Sequence, residues 1–425
     1  AAVLRSSVGT LERTQTGLNW SHMKKHPQLA KKFLLLYMLR INSSINTNTD
    51  LAKRLGVSKQ FISKWMLITR SYVFELDVYP GMIGILLALQ FVHSSYSASL
   101  ELGCSWVWVG IPCVLSEASR IIYYDGLIII IGLMLAHASN NMINDFFDTL
   151  HGVDTEGYPR TQYGPHALID NLISKNGLIL AIFVCNVIDL LIAVYFYQKI
   201  GPEILYFVFA GLAISIFYVA KPIRLKNIGL GEFAIGLVYG PLMVGGTFMA
   251  LTGESFGSQT LNNAFLVSIP FGLTVMTMIM GKHMDKYEAD TAKPVHTLPV
   301  MIGMSWASKV SQATIVLFFI FSLLSVMQGH YAMAIVIFAM PRAMYVIKKF
   351  NEPVPDTQKE AFDIAFEVLP PHLKEKVIEK DMKDIFPVWP LWYVAWAFHF
   401  VKIAGATFVL GLIIDTLIVL EIIPL

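Results

Sequence analysis

Cysteine is scarce in this sequence, with three residues among 425: Cys104, Cys113 and Cys185. Their spacing matches no metal-binding pattern, so a metal centre held by thiolates is not expected. Cys104 and Cys113 fall in one loop between apolar runs, where a disulfide and a pair of free thiols both remain open. The chain also has no obvious internal repeat.

Sequence signals of a β-barrel and of a cleavable leader are missing as well. The alternation of apolar and polar residues that is typical of outer-membrane barrels does not occur. No cleavable signal peptide is expected, since roughly seventy polar and basic residues precede the first apolar run. The chain must therefore be understood from its long apolar segments.

Hydrophobic residues make up 55 % of the chain, against about 45–50 % in a typical soluble domain. Apolar runs of about twenty residues, long enough to cross ~30 Å of hydrocarbon, recur along it. Because a segment in lipid must satisfy its own backbone hydrogen bonds, these runs are predicted to be helices. We therefore expect an all-α, multi-span membrane protein of about nine transmembrane helices. The runs lie at residues 77–96, 122–143, 177–197, 202–220, 230–251, 263–281, 308–327, 330–347 and 400–422.

Charge is unevenly distributed, although the net charge is only +2. Residues 1–75 contain twelve Lys and Arg against three Asp and Glu. The positive-inside rule then predicts a cytoplasmic N-terminus. The expected location is the cell inner membrane, with the acidic motifs on the cytoplasmic side. Alternation along nine spans leaves Leu425 outside. The loops predicted to be cytoplasmic are 145–175, 221–228, 282–307 and 348–399; those predicted to lie outside are 97–120, 252–262 and 328–330.

A small helical domain is predicted at residues 29–67, between an unassigned segment, 1–28, and the membrane domain, 68–425. The stretch "NTDLAKRLGVSKQFISKWM" contains two helix N-caps, Thr49 and Ser58, with Gly56 at the turn between the helices. This pattern resembles the helix-turn-helix signature. Its exposed face could contact DNA; the alternative is a small cytoplasmic domain whose basic face contacts anionic lipid. The residues of that face are Ser58, Lys59, Gln60, Ser63 and Lys64.

An acidic stretch, "NNMINDFFDTLHGVDT" at residues 140–155, directly follows one of the most apolar runs. On a helix Asn144 and Asp148 share a face, and Gly152 lets the chain bring Asp154 back toward it. Carboxylate and amide oxygens of this kind suit Mg²⁺. Ionisable groups at membrane depth are costly, which indicates a functional site. The alternative is a solvated loop that merely happens to be acidic.

A second acidic stretch, "GKHMDKYEADTAKPVHTLPVMIG" at residues 281–303, again follows a span on the cytoplasmic side. Its carboxylates are Asp285, Glu288 and Asp290. Two acidic clusters on two membrane helices can form a two-sided Mg²⁺ cage for one pyrophosphate. Basic residues nearby could hold the charge of a diphosphate leaving group. These are Lys221, Arg224, Lys226 and Lys282.

Together these motifs resemble the UbiA superfamily of intramembrane prenyltransferases, and within it the menaquinone-branch, dihydroxynaphthoate polyprenyltransferase-like proteins. The first family motif is Asn, then Asp four residues on, then Gly-x-Asp; the matching residues are Asn144, Asp148, Gly152 and Asp154. The stretch "KPIRLKNIGLGEFAIGLVYGPLMV" is similar to that branch's loop and following span. "HTLPVMIG" matches the segment after the second motif. The resemblance covers roughly residues 68–425.

The resemblance implies Mg²⁺-assisted ionisation of a prenyl diphosphate, transfer of the polyprenyl group to an aromatic or lipid acceptor, and release of pyrophosphate. The expected catalytic carboxylates are Asp148, Asp154, Asp285 and Asp290. The expected metal ligands are Asn144, Asp148, Asp154, Asp285, Glu288 and Asp290. The expected substrate contacts are Asn144, Asn141, Lys221, Arg224, Lys226, Lys282, Arg70 and Tyr163.

The second motif departs from the family pattern of two aspartates four residues apart. Asp290 fits the later position, but Lys286 stands four residues before it and Asp285 five. On an ideal helix Asp285 would therefore point roughly 140° away from Asp290. Either a local unwinding returns Asp285 to the site or Glu288 shares its role.

Two other functions compete with the enzyme. The first is a membrane-tethered DNA-binding regulator whose transferase-like part senses an isoprenoid or quinone; two intact acidic clusters argue against it. The second is a transporter or channel, whose polar residues would typically lie near the bilayer midplane rather than at one face. Among other polar residues, His166 after the first motif, and His137 and Asn140 on the preceding helix, could contact substrate or be ordinary structural groups.

Overall fold

The computed structural model describes residues 75–96, 117–163, 166–293, 295–368 and 391–422, with isolated positions at 69, 371, 374, 375 and 378. The predicted helix-turn-helix segment, with its proposed DNA- or lipid-contacting residues, lies outside this set. So do Arg70 and the loop that carries Cys104 and Cys113. The predictions for these parts of the chain stay predictions.

The described chain is helical, and no β-strand occurs in it. The first helices are α1 Glu75–Tyr96, α2 Glu117–Leu150, α3 Pro159–Tyr163, α4 Lys175–Ile200, α5 Ile204–Phe217 and α6 Gly231–Thr252. The others are α7 Gln259–Met284, α8 Tyr287–Thr291, α9 Leu298–Ile302, α10 Met304–Met327, α11 Tyr331–Asn351, α12 Gln358–Glu367 and α13 Tyr393–Val419. A 3₁₀ turn, Leu225–Ile228, precedes α6.

Among the described residues, seven helices are long and apolar enough to cross a membrane: α2, α4, α6, α7, α10, α11 and α13. Two shorter apolar helices, Val78–Ser94 within α1 and Ile204–Phe217, lie where the sequence predicted two further spans. The all-helical, multi-span membrane architecture is thus confirmed. The count of nine stays a prediction, because the two shorter helices fall below the usual length of a span.

The core of the helical bundle surrounds α7, and 67 % of the most apolar stretch of this helix is buried. This helix packs against α6, α10 and α13, and Phe271 and Met280 on it are fully buried. Its start is capped by Ser258, whose hydroxyl accepts a hydrogen bond from the amide of Leu261. By contrast, only 17 % of the most apolar stretch of α4 is buried, and Leu190 and Leu191 on this helix are exposed. An apolar, outward-facing helix of this kind faces lipid.

The backbones of α6 and α7 approach too closely for a side chain to fit between them. A Cβ on Gly272 would lie 2.4 Å from the carbonyl oxygen of Gly236 and 3.2 Å from the Cα of Gly240. Gly240 belongs to a π-helical segment, Val238–Gly245, which also contains Pro241. Such wide turns inside α-helices are frequent at functional sites.

Loops from distant parts of the chain meet at one end of the bundle, called the mouth below. The Lys293 Nζ, after α8, donates to the carbonyl of Gly152 and to Thr155 Oγ1 after α2, at 3.2 and 3.0 Å. The amide of Gly229, before α6, donates to the carbonyl of His296. The loops that carry the two acidic stretches are therefore joined directly.

Candidate active site

The first acidic stretch forms the last turns of α2 and the bend after it. Gly152 takes a positive φ of 68°, which favours glycine and ends the helix. The amides of Val153 and Asp154 then donate to the carbonyl of Asp148, at 2.8 and 3.1 Å. As a result Asp154 lies beside the end of α2, and Asp148 and Asp154 are 7 % and 4 % exposed. Asn144, one turn earlier on the helix, is half-buried.

Asp148 forms a buried ion pair with Lys226. The lysine lies on the 3₁₀ turn before α6, and its Nζ is 2.7 and 2.6 Å from the two carboxylate oxygens. Lys226 is 3 % exposed, so the pair is shielded from water. Charge-assisted hydrogen bonds in such surroundings are strong. The structure thus brings one predicted basic residue directly onto a predicted metal-binding carboxylate.

Asp154 belongs to a second buried network that includes Asp145, Arg160 and His166. His166 Nε2 lies 3.1 Å from Asp154 Oδ2, and Arg160 Nη2 lies 3.1 Å from Asp145 Oδ2. Burial alone would raise the pKa of Asp154. The hydrogen bond with His166 and the charges of Arg160 and Lys226 outweigh burial and hold that pKa well below its ordinary value.

Sequence reasoning missed Asp145 and Arg160 as members of this network. Asp145 directly follows Asn144 at the end of an apolar run, and an acidic residue at such a position is the sequence signal that could have identified it. In the structure it is 1 % exposed. Asp145, Asp154 and His166 each place a ligand atom within 4.8 Å of the others. Because Arg160 already neutralises Asp145, the network is suited to orienting Asp154.

The second acidic stretch brings Asp290, on the short helix α8, to the same region. Asp290 is fully buried, and its Oδ1 accepts a hydrogen bond from the hydroxyl of Tyr158 in the loop after α2. Burial raises the pKa of Tyr158, and the charges of Asp290, Asp154 and Asp148 raise it further. The hydroxyl therefore stays protonated as a donor. The hydrogen bond from Tyr158 to Asp290 and those from Lys293 to Gly152 and Thr155 join the two acidic stretches.

Asp285 and Glu288, the other predicted carboxylates of this stretch, are directed elsewhere. The helix does end at Asp285, as a local unwinding requires, but the break turns this side chain toward the start of α13. Its two oxygens accept hydrogen bonds from the amides of Trp392, Tyr393 and Val394 at 3.0, 2.9 and 2.8 Å. Three amides of a helix N-terminus bind a carboxylate well. Glu288 is exposed on α8. We therefore exclude Asp285 from the metal-binding set proposed below.

The predicted substrate-contacting residues occupy different positions around the mouth. Lys221 is exposed. Arg224 is half-buried, with a left-handed φ of 53° and a buried Nε that has no hydrogen-bond partner among the described residues. Lys282 is half-buried near the end of α7. The side-chain amide of Asn141 donates to the carbonyl of Thr69 at 3.1 Å, ahead of α1. Tyr163 ends α3.

The donor set at the mouth fits Mg²⁺ on structural grounds. Asn144 Oδ1 and Asp290 Oδ2 are buried oxygens without a hydrogen-bond partner in the described structure. Buried polar atoms are nearly always satisfied, so each such exception indicates a missing partner. Hard oxygen atoms from amides and carboxylates are the ligands that Mg²⁺ prefers. We infer that Asn144, with Asp148 and Asp154 on the same side of the mouth, can hold that ion, whereas Asp290 Oδ2 faces the Lys286 ammonium at 3.9 Å.

Polar residues continue deeper along α2, below the mouth. His137 Nδ1 lies 2.8 Å from the hydroxyl of Tyr239, which belongs to the π-helical segment of α6. Asn140 Oδ1 accepts a hydrogen bond from Ser215 Oγ on α5 at 3.1 Å. These contacts show that both α2 side chains have specific partners among neighbouring helices.

Comparisons with known proteins agree with this geometry. The family model described as the UbiA prenyltransferase family matches residues 104–368. A UbiA prenyltransferase domain-containing protein 1 from Dictyostelium discoideum is 25 % identical over 295 residues, 67 % of this chain and 84 % of that protein. A homolog from Drosophila melanogaster is 28 % identical over 196 residues, 45 % of this chain and 52 % of its own length.

Solved structures also resemble the chain, at low identity. A UbiA homolog from Archaeoglobus fulgidus bound to DMAPP and Mg²⁺ aligns with a TM-score of 0.44 and 13 % identity, over 80 % of this chain and 99 % of that one. A structure described as digeranylgeranylglyceryl phosphate synthase in membranes gives a TM-score of 0.43 and 15 % identity, over 83 % and 98 %. The family match alone spans more than half of the 425 residues. The chain belongs to the UbiA prenyltransferase family and is a prenyltransferase of that type.

Proposed function

We propose that this protein transfers a polyprenyl group from a prenyl diphosphate to an aromatic or lipid acceptor, with Mg²⁺ and with release of pyrophosphate. The observation that carries the proposal is the convergence of two acidic elements at one end of the bundle. Asp290 and Asp148 are 142 residues apart in the chain, yet Tyr158, in the loop after Asp148, donates a hydrogen bond to Asp290, and Lys293, after Asp290, donates to the carbonyl of Gly152 at 3.2 Å. A buried acidic site beside apolar helices suits a substrate with a charged head and a hydrocarbon tail.

The residues proposed to hold the diphosphate and its ion surround the mouth. Asn144, Asp148 and Asp154 would hold Mg²⁺, which when bound supplies the charge that neutralises the leaving group. Lys226 lies on Asp148, so it is placed to shift onto a phosphate oxygen when the carboxylate binds the ion. Arg224, whose buried Nε finds no hydrogen-bond partner in the described part of the chain, is suited to a second phosphate contact.

Exclusion of water is the other task of the site. The carboxylates Asp148, Asp154 and Asp290 are all less than a tenth exposed. As the allylic C–O bond breaks, the electron pair leaves with pyrophosphate, and the electron-rich acceptor attacks the allylic carbon. The acceptor then loses a proton, for which a mouth carboxylate or the departing pyrophosphate is the base. A water-poor cavity keeps the allylic cation from being hydrolysed first.

The acceptor is the finer part of the proposal. The resemblance of "HGVDT" and the 221–244 segment to the menaquinone branch favours a dihydroxynaphthoate-like ring. The relatives' names specify no acceptor, whereas one similar structure is described as the synthase of a glycerol-based lipid. We therefore include both acceptor classes in the test.

The test measures pyrophosphate release and prenylated product by purified protein in nanodiscs. Geranylgeranyl diphosphate is supplied with and without Mg²⁺, together with dihydroxynaphthoate, other aromatic rings or a glycerol phosphate lipid. We expect release that requires both Mg²⁺ and one acceptor class, and that falls at least a hundredfold in Asp148→Asn. The matched control is Asp356→Asn, an exposed carboxylate before α12. Equal activity in the two variants would reject the assigned site.

The alternative of a tethered regulator rests on residues 29–67. These lie outside the described part of the chain, and no comparison supports DNA contact by them. Tight binding of diphosphate with no product from any acceptor would return attention to that segment and its basic face, Ser58 to Lys64.

A further inference from the structure

The two acidic elements at the mouth contribute unequally to a metal site. Asp148 and Asp154 on the α2 side are both buried there. On the α7–α8 side Asp285 is engaged by three backbone amides of α13, and Glu288 is exposed. On the α7–α8 side, Asp290 is the buried carboxylate, and it accepts a hydrogen bond from Tyr158, in the loop that follows the first acidic stretch. A symmetric cage with an ion on each side is not what these residues form.

A lysine stands beside the remaining carboxylate. Lys286, in the turn between α7 and α8, is 6 % exposed. Its Nζ lies 3.9 Å from Asp290 Oδ2, which is within ion-pair range but too far for a hydrogen bond. The same ammonium lies 5.5 Å from the centre of the Tyr158 ring, a distance typical of cation–π contact. Lysine is almost never this buried unless it is paired.

The position of this ammonium affects which cations can bind next to it. A second divalent ion on Asp290 Oδ2 would lie within a few ångström of Lys286 Nζ. Repulsion between such charges is weakly screened in buried surroundings. The lysine already supplies positive charge at the point where the second ion would bind.

We propose that the mouth binds one Mg²⁺, on the α2 side, and that the Lys286 ammonium supplies the second positive charge to the diphosphate. Asp290 and Tyr158 hold the lysine in position, Asp290 through charge and Tyr158 through its hydrogen bond to Asp290 and its ring face. Lys286 is then a substrate-contacting residue that replaces a metal ion. This inference rests on the proposed function, since it assumes a diphosphate at the mouth.

Counting bound ions tests the inference without any turnover. Purified protein in nanodiscs is titrated with Mn²⁺ in the presence of inorganic pyrophosphate, and bound Mn²⁺ is counted by electron paramagnetic resonance. We expect one ion for the natural protein and two for Lys286→Asp, which places a second carboxylate four residues before Asp290. Two ions on the natural protein would overturn the inference. So would a single ion on both proteins, because the lysine would then not be what excludes the second.

Kinetics provide the second readout. We expect Lys286→Met to raise the KM for geranylgeranyl diphosphate at least tenfold and to leave the KM for the acceptor unchanged, with partial recovery in Lys286→Arg. The control is Lys309→Met on α10, whose ammonium lies over the exposed ring of Trp306; its kinetics should not change. An unchanged diphosphate KM in Lys286→Met overturns the inference.

The two proposals fail in different ways. Absence of Mg²⁺-dependent pyrophosphate release with every acceptor would reject the proposed function, whatever the ion count. Normal turnover with two bound ions would reject the role of Lys286 and leave the proposed function standing. If Lys286→Met does not fold, the ion counts on the natural protein and on Lys286→Asp still decide.

Discussion

Individual carboxylates at the mouth owe their behaviour to partners that are distant in sequence. Asp148 is paired with Lys226, 78 residues away, and Asp290 accepts a hydrogen bond from Tyr158, 132 residues away. A buried carboxylate without such a partner would be costly. The roles of these residues are therefore set by contacts between distant parts of the chain. Substitutions at single positions should reveal those contacts through their effects on stability and ion binding.

Asp154 should make stability depend on pH. Its pKa is depressed in the folded protein because the hydrogen bond with His166 and the nearby positive charges outweigh burial. A depressed pKa contributes stability above the unfolded value, 3.8, and this contribution is lost as the pH falls below it. We expect Asp154→Asn to lower the free energy of unfolding at pH 7 by about 3 kcal/mol.

The measurement is unfolding of metal-free protein in detergent over a pH series from neutral to strongly acidic. The difference between the natural protein and Asp154→Asn should shrink below about pH 4, where the Asp154 carboxylate of the unfolded chain begins to protonate while that of the folded protein stays charged. Asp356→Asn, at an exposed position, should show no such difference. A gap between the two proteins that is constant with pH would contradict the assigned charge state.

Asp285 should prove structural rather than metal-binding. Its oxygens accept three amides at the start of α13, so Asp285→Ala leaves those donors buried without an acceptor. We expect a loss of stability of about 2–4 kcal/mol, with partial recovery in Asp285→Asn, whose amide oxygen still accepts. Mn²⁺ affinity of the folded protein should stay unchanged. Loss of ion binding with normal stability would instead restore Asp285 to the metal ligands.

At the scale of helices, α6 and α7 pack so closely at Gly272 that a Cβ atom added there should not fit between them. A Cβ on Gly272 would lie 2.4 Å from a backbone carbonyl, and backbone cannot yield as a flexible side chain does. We expect Gly272→Ala to destabilise the protein by about 1–3 kcal/mol or more. The matched control is Gly211→Ala on α5, where nothing lies within 4 Å of the added atom.

Thermal unfolding and size-exclusion profiles of the two alanine variants in the same detergent provide the comparison. The Gly211 variant should match or slightly exceed the natural protein, because alanine is a better helix former than glycine. Equal stability of both variants would mean that α6 and α7 are further apart than described.

At the scale of the whole molecule, the mouth and the opposite loops should lie on different sides of the membrane. Positively charged flanks predict that the mouth is cytoplasmic. Exposed positions suitable for labelling are Glu156 and Glu288 at the mouth, and Ser255 and Gln328 at the other end. Each is changed to cysteine after the three natural cysteines are replaced by serine.

Sealed vesicles are treated with a membrane-impermeant maleimide before and after permeabilisation. We expect Glu156→Cys and Glu288→Cys to be labelled only from the cytoplasmic face, and Ser255→Cys and Gln328→Cys only from the other. Labelling of all four positions from one face would reject the arrangement of spans. Reversal of the two faces would reject only the predicted orientation.

The positions of the helices, and the stretches that carry the chemistry, could be predicted from the sequence alone. The predicted run 263–281 lies inside α7, Gln259–Met284, and the structure extends it because Ser258 caps one end and Asp285 ends the other. Apolar length and helix-capping are local properties, so spacing along the chain reveals them. The acidic stretch after α2 was evident for the same reason, since charge at the end of an apolar helix is costly.

The use of those charges depends on the packing of the helices and could not be predicted from the sequence. Spacing left Asp285 and Glu288 both open as ligands, and the amides of α13 engage the first while the second is exposed. Spacing also gave no sign that Lys226 would lie on Asp148 or that Tyr158 would donate a hydrogen bond to Asp290. Pairing among buried charges depends on distances between helices that are far apart in the chain. The packing of the bundle fixes those distances, and neighbouring residues in sequence do not encode them.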